Sequence, residues 1–182
     1  MASHTLIIGG TGMLSGVTEF LSENYDTVSL ICRNEKRINL SLKNINPIIL
    51  DYSYYKFLSK SLESSIKNFG NIDLVASWIH SSAPLAPFII AEKINSFGKQ
   101  FRYFDVLGSA YANPSEDNSE RENSFLKCEN ILYRKIILGF KIENNISRWL
   151  TNDEISSGVI DAVKKDNVET IIGTVTPWEL KP

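Results

Sequence analysis

The stretch Thr5-Leu6-Ile7-Ile8-Gly9-Gly10-Thr11-Gly12-Met13-Leu14-Ser15-Gly16 decides how the rest of the chain is read. A run of aliphatic residues of strand length leads directly into a glycine-rich turn, and residues 13–23 then carry a helical pattern. A strand, a bare turn and a helix N-terminus in that order let backbone N–H groups approach an anionic diphosphate with no side chain between them. Gly9 and Gly12 supply the turn and the close approach, and Gly10, Thr11, Met13 and Leu14 complete the loop. The third small position of the glycine pattern falls on Ser15, where helix and strand must pack closely, with Gly16 beside it as the alternative.

The same alternation continues downstream. Apolar runs at 27–32, 47–50, 74–79, 102–107, 133–141 and 169–175 follow the first run at 5–9. Most are continuous, as expected for strands covered on both faces of a parallel sheet. Helical patterns lie between them, at 35–43, at 53–68 with Tyr54, Leu58, Leu62 and Ile66 on one face, and at 84–97. A last helix begins at Thr151, whose spacing to Glu154 is that of a capping box. Parallel neighbours need covering, right-handed crossovers, which predicts a Rossmann-type α/β fold. Its sheet is doubly wound and mostly parallel, with seven strands in the order 3-2-1-4-5-6-7 and helices on both faces. Residues 112–130 are polar and acidic and lack a helical stripe, so they are expected to form a mobile loop.

Composition bounds the rest. The chain has 182 residues, 43% hydrophobic and 22% charged, enough for a single dinucleotide-binding domain over residues 1–182. Nineteen Lys and Arg against 21 Asp and Glu give a net charge of -2, which provides no broad basic field for nucleic acid or a membrane surface. No stretch approaches the roughly 20 apolar residues of a membrane span, and no secretory leader pattern opens the sequence, so a cytoplasmic location is expected. Two cysteines make no disulfide framework: Cys32 reads as a buried strand thiol and Cys128 as a loop thiol. His4 and His80 stand far apart, and no metal-ligand spacing is present.

The end of the second strand bears on which dinucleotide is bound. An acid there would bind a ribose 2′-hydroxyl, whereas a basic residue accommodates a 2′-phosphate. The residues are Ile31-Cys32-Arg33-Asn34-Glu35-Lys36-Arg37, with no acid at the tip and with Arg33 able to pair with phosphate through its planar fork. NADP(H) is therefore expected in preference to NAD(H). The competing reading makes Arg33 and Arg37 solvated charges at the start of a surface helix.

Taken together, IIGGTGMLSG, ICRN, Leu50-Asp51-Tyr52 and LVASWIHSSAP resemble the short-chain dehydrogenase/reductase family over nearly the whole chain. The segment Arg148 to Ile155 followed by IIGT is similar to that family's last helix and strand. The resemblance implies adenine contact at Asp51, with Tyr52 beside it, and a cofactor wall at Ala76, Ser77 and Trp78, although the family's usual Asn-Ala-Gly is replaced there by Ser77-Trp78-Ile79. It also implies a Ser at the end of the fifth strand, matched by Ser109, and pairing with a second copy of the chain.

The family's Tyr-x-x-x-Lys, in which Lys tunes a Tyr proton donor, has no counterpart after the fifth strand. The pair Tyr52 and Lys56 has that spacing but follows the third strand. His80 and Tyr111 are the candidate proton donors in its place, with Ser109 orienting the substrate oxygen and Glu143 just past the sixth strand. The competing reading makes His80 a helix cap and Tyr111 a loop anchor. Two functions follow, an atypical oxidoreductase acting on a small carbonyl or alcohol, or a noncatalytic NADP(H)-binding redox sensor or interaction module. A nucleophilic hydrolase is disfavoured, because Gly108-Ser109-Ala110 lacks the glycines of a nucleophile elbow.

Overall fold

The computed structural model describes residues 2–113, 115, 117–144 and 146–182. Seven strands form one parallel sheet in the order β3-β2-β1-β4-β5-β6-β9, as the alternation predicted. They are β1 (His4–Ile8), β2 (Thr27–Cys32), β3 (Ile45–Ile49), β4 (Ile72–Ser77), β5 (Phe101–Leu107), β6 (Ile131–Leu138) and β9 (Glu169–Ile172), with a separate antiparallel hairpin of β7 (Phe140–Glu143) and β8 (Ile146–Trp149). Each of the central strands is buried on both faces, so its continuous apolar run is a packing requirement.

Five helices supply the two outer layers. One face of the sheet is covered by α2 (Tyr55–Phe69), α3 (Ala86–Asn95) and α4 (Ser119–Phe125), through Leu58, Leu62 and Ile66, then Ile90 and Ile94, then Phe125. The other is covered by α1 (Ser15–Asn24) and α5 (Asn152–Lys165), through Val17, Leu21, Val159 and Val163. The strand order reverses between β1 and β4, which opens a crevice at their carboxyl ends. No helix of the described residues is long and apolar enough to cross a membrane.

Three expectations differ from the structure. Residues 35–43 form no α-helix. A single 3₁₀ turn spans Glu35–Arg37, capped by the Asn34 side chain accepting from the Lys36 N–H at 3.0 Å. Leu40 beyond it is 90% exposed, so no apolar face holds a longer helix against the sheet. The run at 133–141 divides at Gly139, where the backbone packs so closely on Thr174 that no side chain would fit. The chain turns there into the hairpin, which carries Glu143 and ties it to Arg148 at 2.7 Å.

Residues 112–130 contain α4, whose Phe125 is fully buried against Tyr103 and Tyr133. Cys128, read as a loop thiol, lies in the turn after α4 and is buried in the same core, and burial pushes its thiol up and away from reactivity.

The capping box of α5 forms as the spacing predicts, with Thr151 Oγ1 accepting from the Glu154 N–H at 3.2 Å and Glu154 accepting from the Thr151 N–H at 2.9 Å. Arg148 also donates to both Glu154 oxygens. Hydrogen bonds from Arg148, then Lys141, then the Thr151 amide hold the Glu154 carboxyl far below its ordinary value of 4.5. A depressed folded-state value contributes stability that is complete above the unfolded-state value and is lost as pH falls towards the folded one. Glu154→Gln should therefore lower the melting temperature at neutral pH, and the gap from wild type should close progressively below about pH 4.5. A gap independent of pH between 3 and 7 would show that charge is not the cause.

Candidate functional site

The crevice begins where β1 ends. Gly9 leaves the strand at φ +85°, a conformation that disfavours L side chains, and an added Cβ would lie 3.1 Å from Trp78 Cβ. Gly12 has open space where its Cβ would be, so the loop backbone is bare towards the crevice. The Gly9 carbonyl accepts from the Gly12 and Leu14 amides at 3.2 and 3.3 Å, which tightens the turn ahead of α1. The amides of Thr11 and Met13 have no acceptor among the described residues, as an anion-binding loop requires.

Gly10 has a different task. It is buried, and a Cβ would meet Thr18 Oγ1 at 2.3 Å and Leu30 Cδ1 at 2.9 Å. Close packing of α1 on the sheet thus falls on Gly10, while Ser15 is exposed and Gly16 packs on Ser156 of α5. Leu14 is fully buried in the core beneath the loop.

Two cavities meet at Trp78 and His80. The first, about 230 Å³, is bordered by Gly9, Thr11, Gly12, Met13, Arg33 and Tyr52 among others. The second, about 290 Å³, is bordered by Ser81, Gly108, Tyr111 and Arg121 among others. Trp78 and His80 are in edge-to-face contact, with ring centroids 5.7 Å apart. The His80 amide donates to the Tyr52 hydroxyl at 3.4 Å, tying the end of β4 to the segment after β3. The joined crevice therefore runs from the glycine loop and Arg33 at one end to Tyr111 and Arg121 at the other.

Several residues singled out in the sequence stand outside this border. Asn34 is occupied as the cap of its 3₁₀ turn. Asp51 accepts from the Ser53 amide at 2.9 Å and hydroxyl at 2.7 Å, and these bonds hold its carboxyl below the ordinary range, with Arg33 adding a smaller pull. Ser53 thus serves an Asx turn. Ala76 and Ser77 are fully buried inside β4, leaving Trp78 as the wall. Ser109 is buried in the 3₁₀ turn Ser109–Ala112, and the neighbours that border the cavity are Gly108 and Tyr111.

Arg121 escaped the sequence reading. It lies on α4, and its Nε and Nη2 donate to the Asp105 carboxylate at 2.7 and 3.0 Å. Asp105 is buried within β5 and also accepts from the Tyr133 hydroxyl at 2.9 Å. The guanidinium is flanked by the rings of Phe88, Tyr111 and Phe125 at 5.5 to 5.6 Å. Burial pushes the Asp105 carboxyl up, opposed by the Arg121 bonds and charge and then by the phenol. On Arg121, burial works against the charged form but is outweighed by Asp105, so the guanidinium stays protonated. The signal available in the sequence was Asp105 itself, since a carboxylate inside the apolar run Phe101–Leu107 needs a cationic partner. Among the described residues no cluster of His, Cys, Asp and Glu could hold a metal ion.

Solved structures share this architecture. A short-chain dehydrogenase/reductase family oxidoreductase of Aeromonas hydrophila superposes with a TM-score of 0.64 at 14% identity, over 94% of this chain and 98% of that one. A glucose/ribitol dehydrogenase of this type from Brucella melitensis gives 0.67 at 13% identity, over 93% and 94%. A short-chain dehydrogenase of Burkholderia cenocepacia in complex with NADP gives 0.68 at 11% identity, over 96% and 89%. Neither a protein-family model nor a curated protein sequence matches the chain. The fold is that of the short-chain dehydrogenases/reductases.

The two inner glycines of the loop should respond differently to substitution. Gly10→Ala forces Thr18 and Leu30 apart and should cost about 1–3 kcal/mol, the range for overpacking. Gly12→Ala adds a methyl in open space and should stay within about 0.5 kcal/mol of wild type. Urea unfolding of both variants checks this, and equal losses would show that the space around Gly10 is not limiting.

Proposed function

We propose that the protein is an NADP(H)-dependent oxidoreductase acting on a small carbonyl or alcohol substrate. The observation that carries this reading is the continuity of the crevice. A bare glycine loop and a basic residue stand at one end, titratable side chains stand at the other, and Trp78 and His80 join them. In the solved neighbour from Burkholderia cenocepacia the same fold is in complex with NADP.

In this reading the amides of Thr11 and Met13, with the N-terminus of α1 behind them, hold the diphosphate, and the absence of side chains at Gly9 and Gly12 lets it approach. Arg33, exposed at the end of β2, pairs with the 2′-phosphate, and Leu50 and Tyr52 flank the adenosine end. Bound NADP(H) supplies or accepts the hydride. Trp78 walls the crevice where the two cavities join. Tyr111 and His80, which both border the second cavity, are the candidate proton donors. Ser109 is buried away from the cavity border and so does not orient the substrate in this reading.

One observation favours a noncatalytic redox sensor as the second reading. The helix that follows β5 contains neither Tyr nor Lys, and its one arginine is engaged with Asp105.

Fluorescence titration with NADPH and NADH, followed by turnover with a panel of aldehydes and ketones, separates the two. NADPH should bind more tightly. Arg33→Ala should weaken it by about 1.5–3 kcal/mol, the range for hydrogen bonds to charged groups, while NADH binding is left nearly unchanged. Turnover that falls at least about tenfold in Tyr111→Phe, with NADPH affinity kept, supports the enzyme. Tight binding with no turnover on any substrate supports the sensor, and failure to bind either nucleotide removes both.

A further inference from the structure

We propose that Arg121 makes the second cavity a carboxylate-binding site, so that the substrate is a carbonyl or hydroxy compound bearing a carboxylate. The inference rests on reading that cavity as the substrate end of the crevice.

A guanidinium has five N–H donors and two edges that each fit a carboxylate bidentately. Asp105 takes the side edge of Arg121, through Nε and Nη2. The end edge, formed by Nη1 and the second Nη2 proton, has no acceptor among the described residues, although the residue borders the cavity. Its position is set on the remaining sides by Phe88, Phe125 and the Tyr111 ring, which leave little freedom to swing towards bulk water. The side chain is only 17% exposed, so its unused donors lie where hydration is poor and an anionic acceptor is favoured.

The rest of the border agrees. Ser81, His80 and Tyr111 add donors, and no Asp or Glu lies on it among the described residues. The remainder is apolar, including Ile79, Pro87 and Leu107, which suits a short carbon skeleton. The cavity of about 290 Å³ meets the dinucleotide-sized half of the crevice at Trp78 and His80. A molecule held by its carboxylate at Arg121 therefore extends its other end towards that junction, past Tyr111.

The test is calorimetric titration of the full chain, without nucleotide and saturated with NADP⁺, using pyruvate, acetoacetate and levulinate, each beside its methyl ester. At least one acid should bind roughly 10- to 100-fold more tightly than its ester, as expected for a charge-assisted bidentate pair. Arg121→Lys keeps the charge beside Asp105 and loses the fork, and should remove most of that preference.

Because disturbing this buried pair risks misfolding, wild-type protein labelled with ¹⁵N-arginine gives an independent reading. The acid, and not the ester, should shift one protected guanidinium resonance. Acid and ester binding equally, no acid binding, an acid preference intact in folded Arg121→Lys, or no guanidinium shift would each overturn the proposal. Acid binding with no affinity for NADP(H) would uphold the carboxylate site while removing the dinucleotide reading.

Discussion

Thr18 on α1 donates its hydroxyl to the Gly10 carbonyl at 2.9 Å, and its oxygen sits where a Gly10 side chain would have to go. Ile7 and Leu30 close on the same glycine from the sheet. This contact seats α1 directly against the end of β1, so the loop between them cannot take a longer or bulkier path. It also fixes the direction of the loop amides, because the Gly9 carbonyl is already used to bend the chain back. The bare surface facing the crevice is thus a by-product of how tightly the helix is packed underneath. Trp78, which a methyl on Gly9 would crowd, inherits its place as the opposite wall. Both sides of the switch point are therefore set by side chains packed closely on the loop backbone, with the Thr18 hydroxyl as the polar contact among them.

A different kind of interaction organises the far end. Asp105 stands in register with Ser77 on one side and Lys135 on the other, inside a sheet with helices on both faces. A carboxylate there is tolerable only with a cation and full hydrogen bonding, and removing one partner of such a pair commonly costs about 3–5 kcal/mol. Arg121 supplies the cation, so α4 is anchored over β5 and β6 although it has only seven residues. Phe125, stacked on Tyr133 at 4.5 Å, adds the one apolar anchor. Within the connection between β5 and β6, α4 is consequently a structured wall of the crevice.

Sheet order and the glycine loop were legible because they depend on patterns that repeat along the chain. Each of the seven strands needs an apolar run, and a crossover needs a helical stripe. The wall at α4 was not legible for the same reason. A seven-residue helix held by one ion pair and one ring leaves no periodicity in Ser119–Phe125. Residues 35–43 misled in the opposite sense: charge and spacing suited a helix, but no partner surface exists for Leu40, and propensity without burial does not hold a helix of that length. Among the residues singled out near the crevice, Arg33, Trp78, His80 and Tyr111 border it, whereas Asn34, Asp51 and Ser109 are spent on local turns or buried. Chain position placed all of these at strand ends; only the local hydrogen bonding separates them.

The pairing of Arg121 with Asp105 bears on what kind of recognition the cavity can offer. A neutralised arginine exerts a weak long-range field, so it adds little to the attraction of an anion from a distance. What it retains is direction. A free arginine side chain carries about 2 kcal/mol of rotamer entropy that is lost when it grips a ligand, but Arg121 has already given this up on folding. Its guanidinium carbon lies 5.6 Å from the centre of the Tyr111 ring, in surroundings that exclude much of the competing water. The balance favours discrimination between a planar anion and its uncharged analogue over raw affinity.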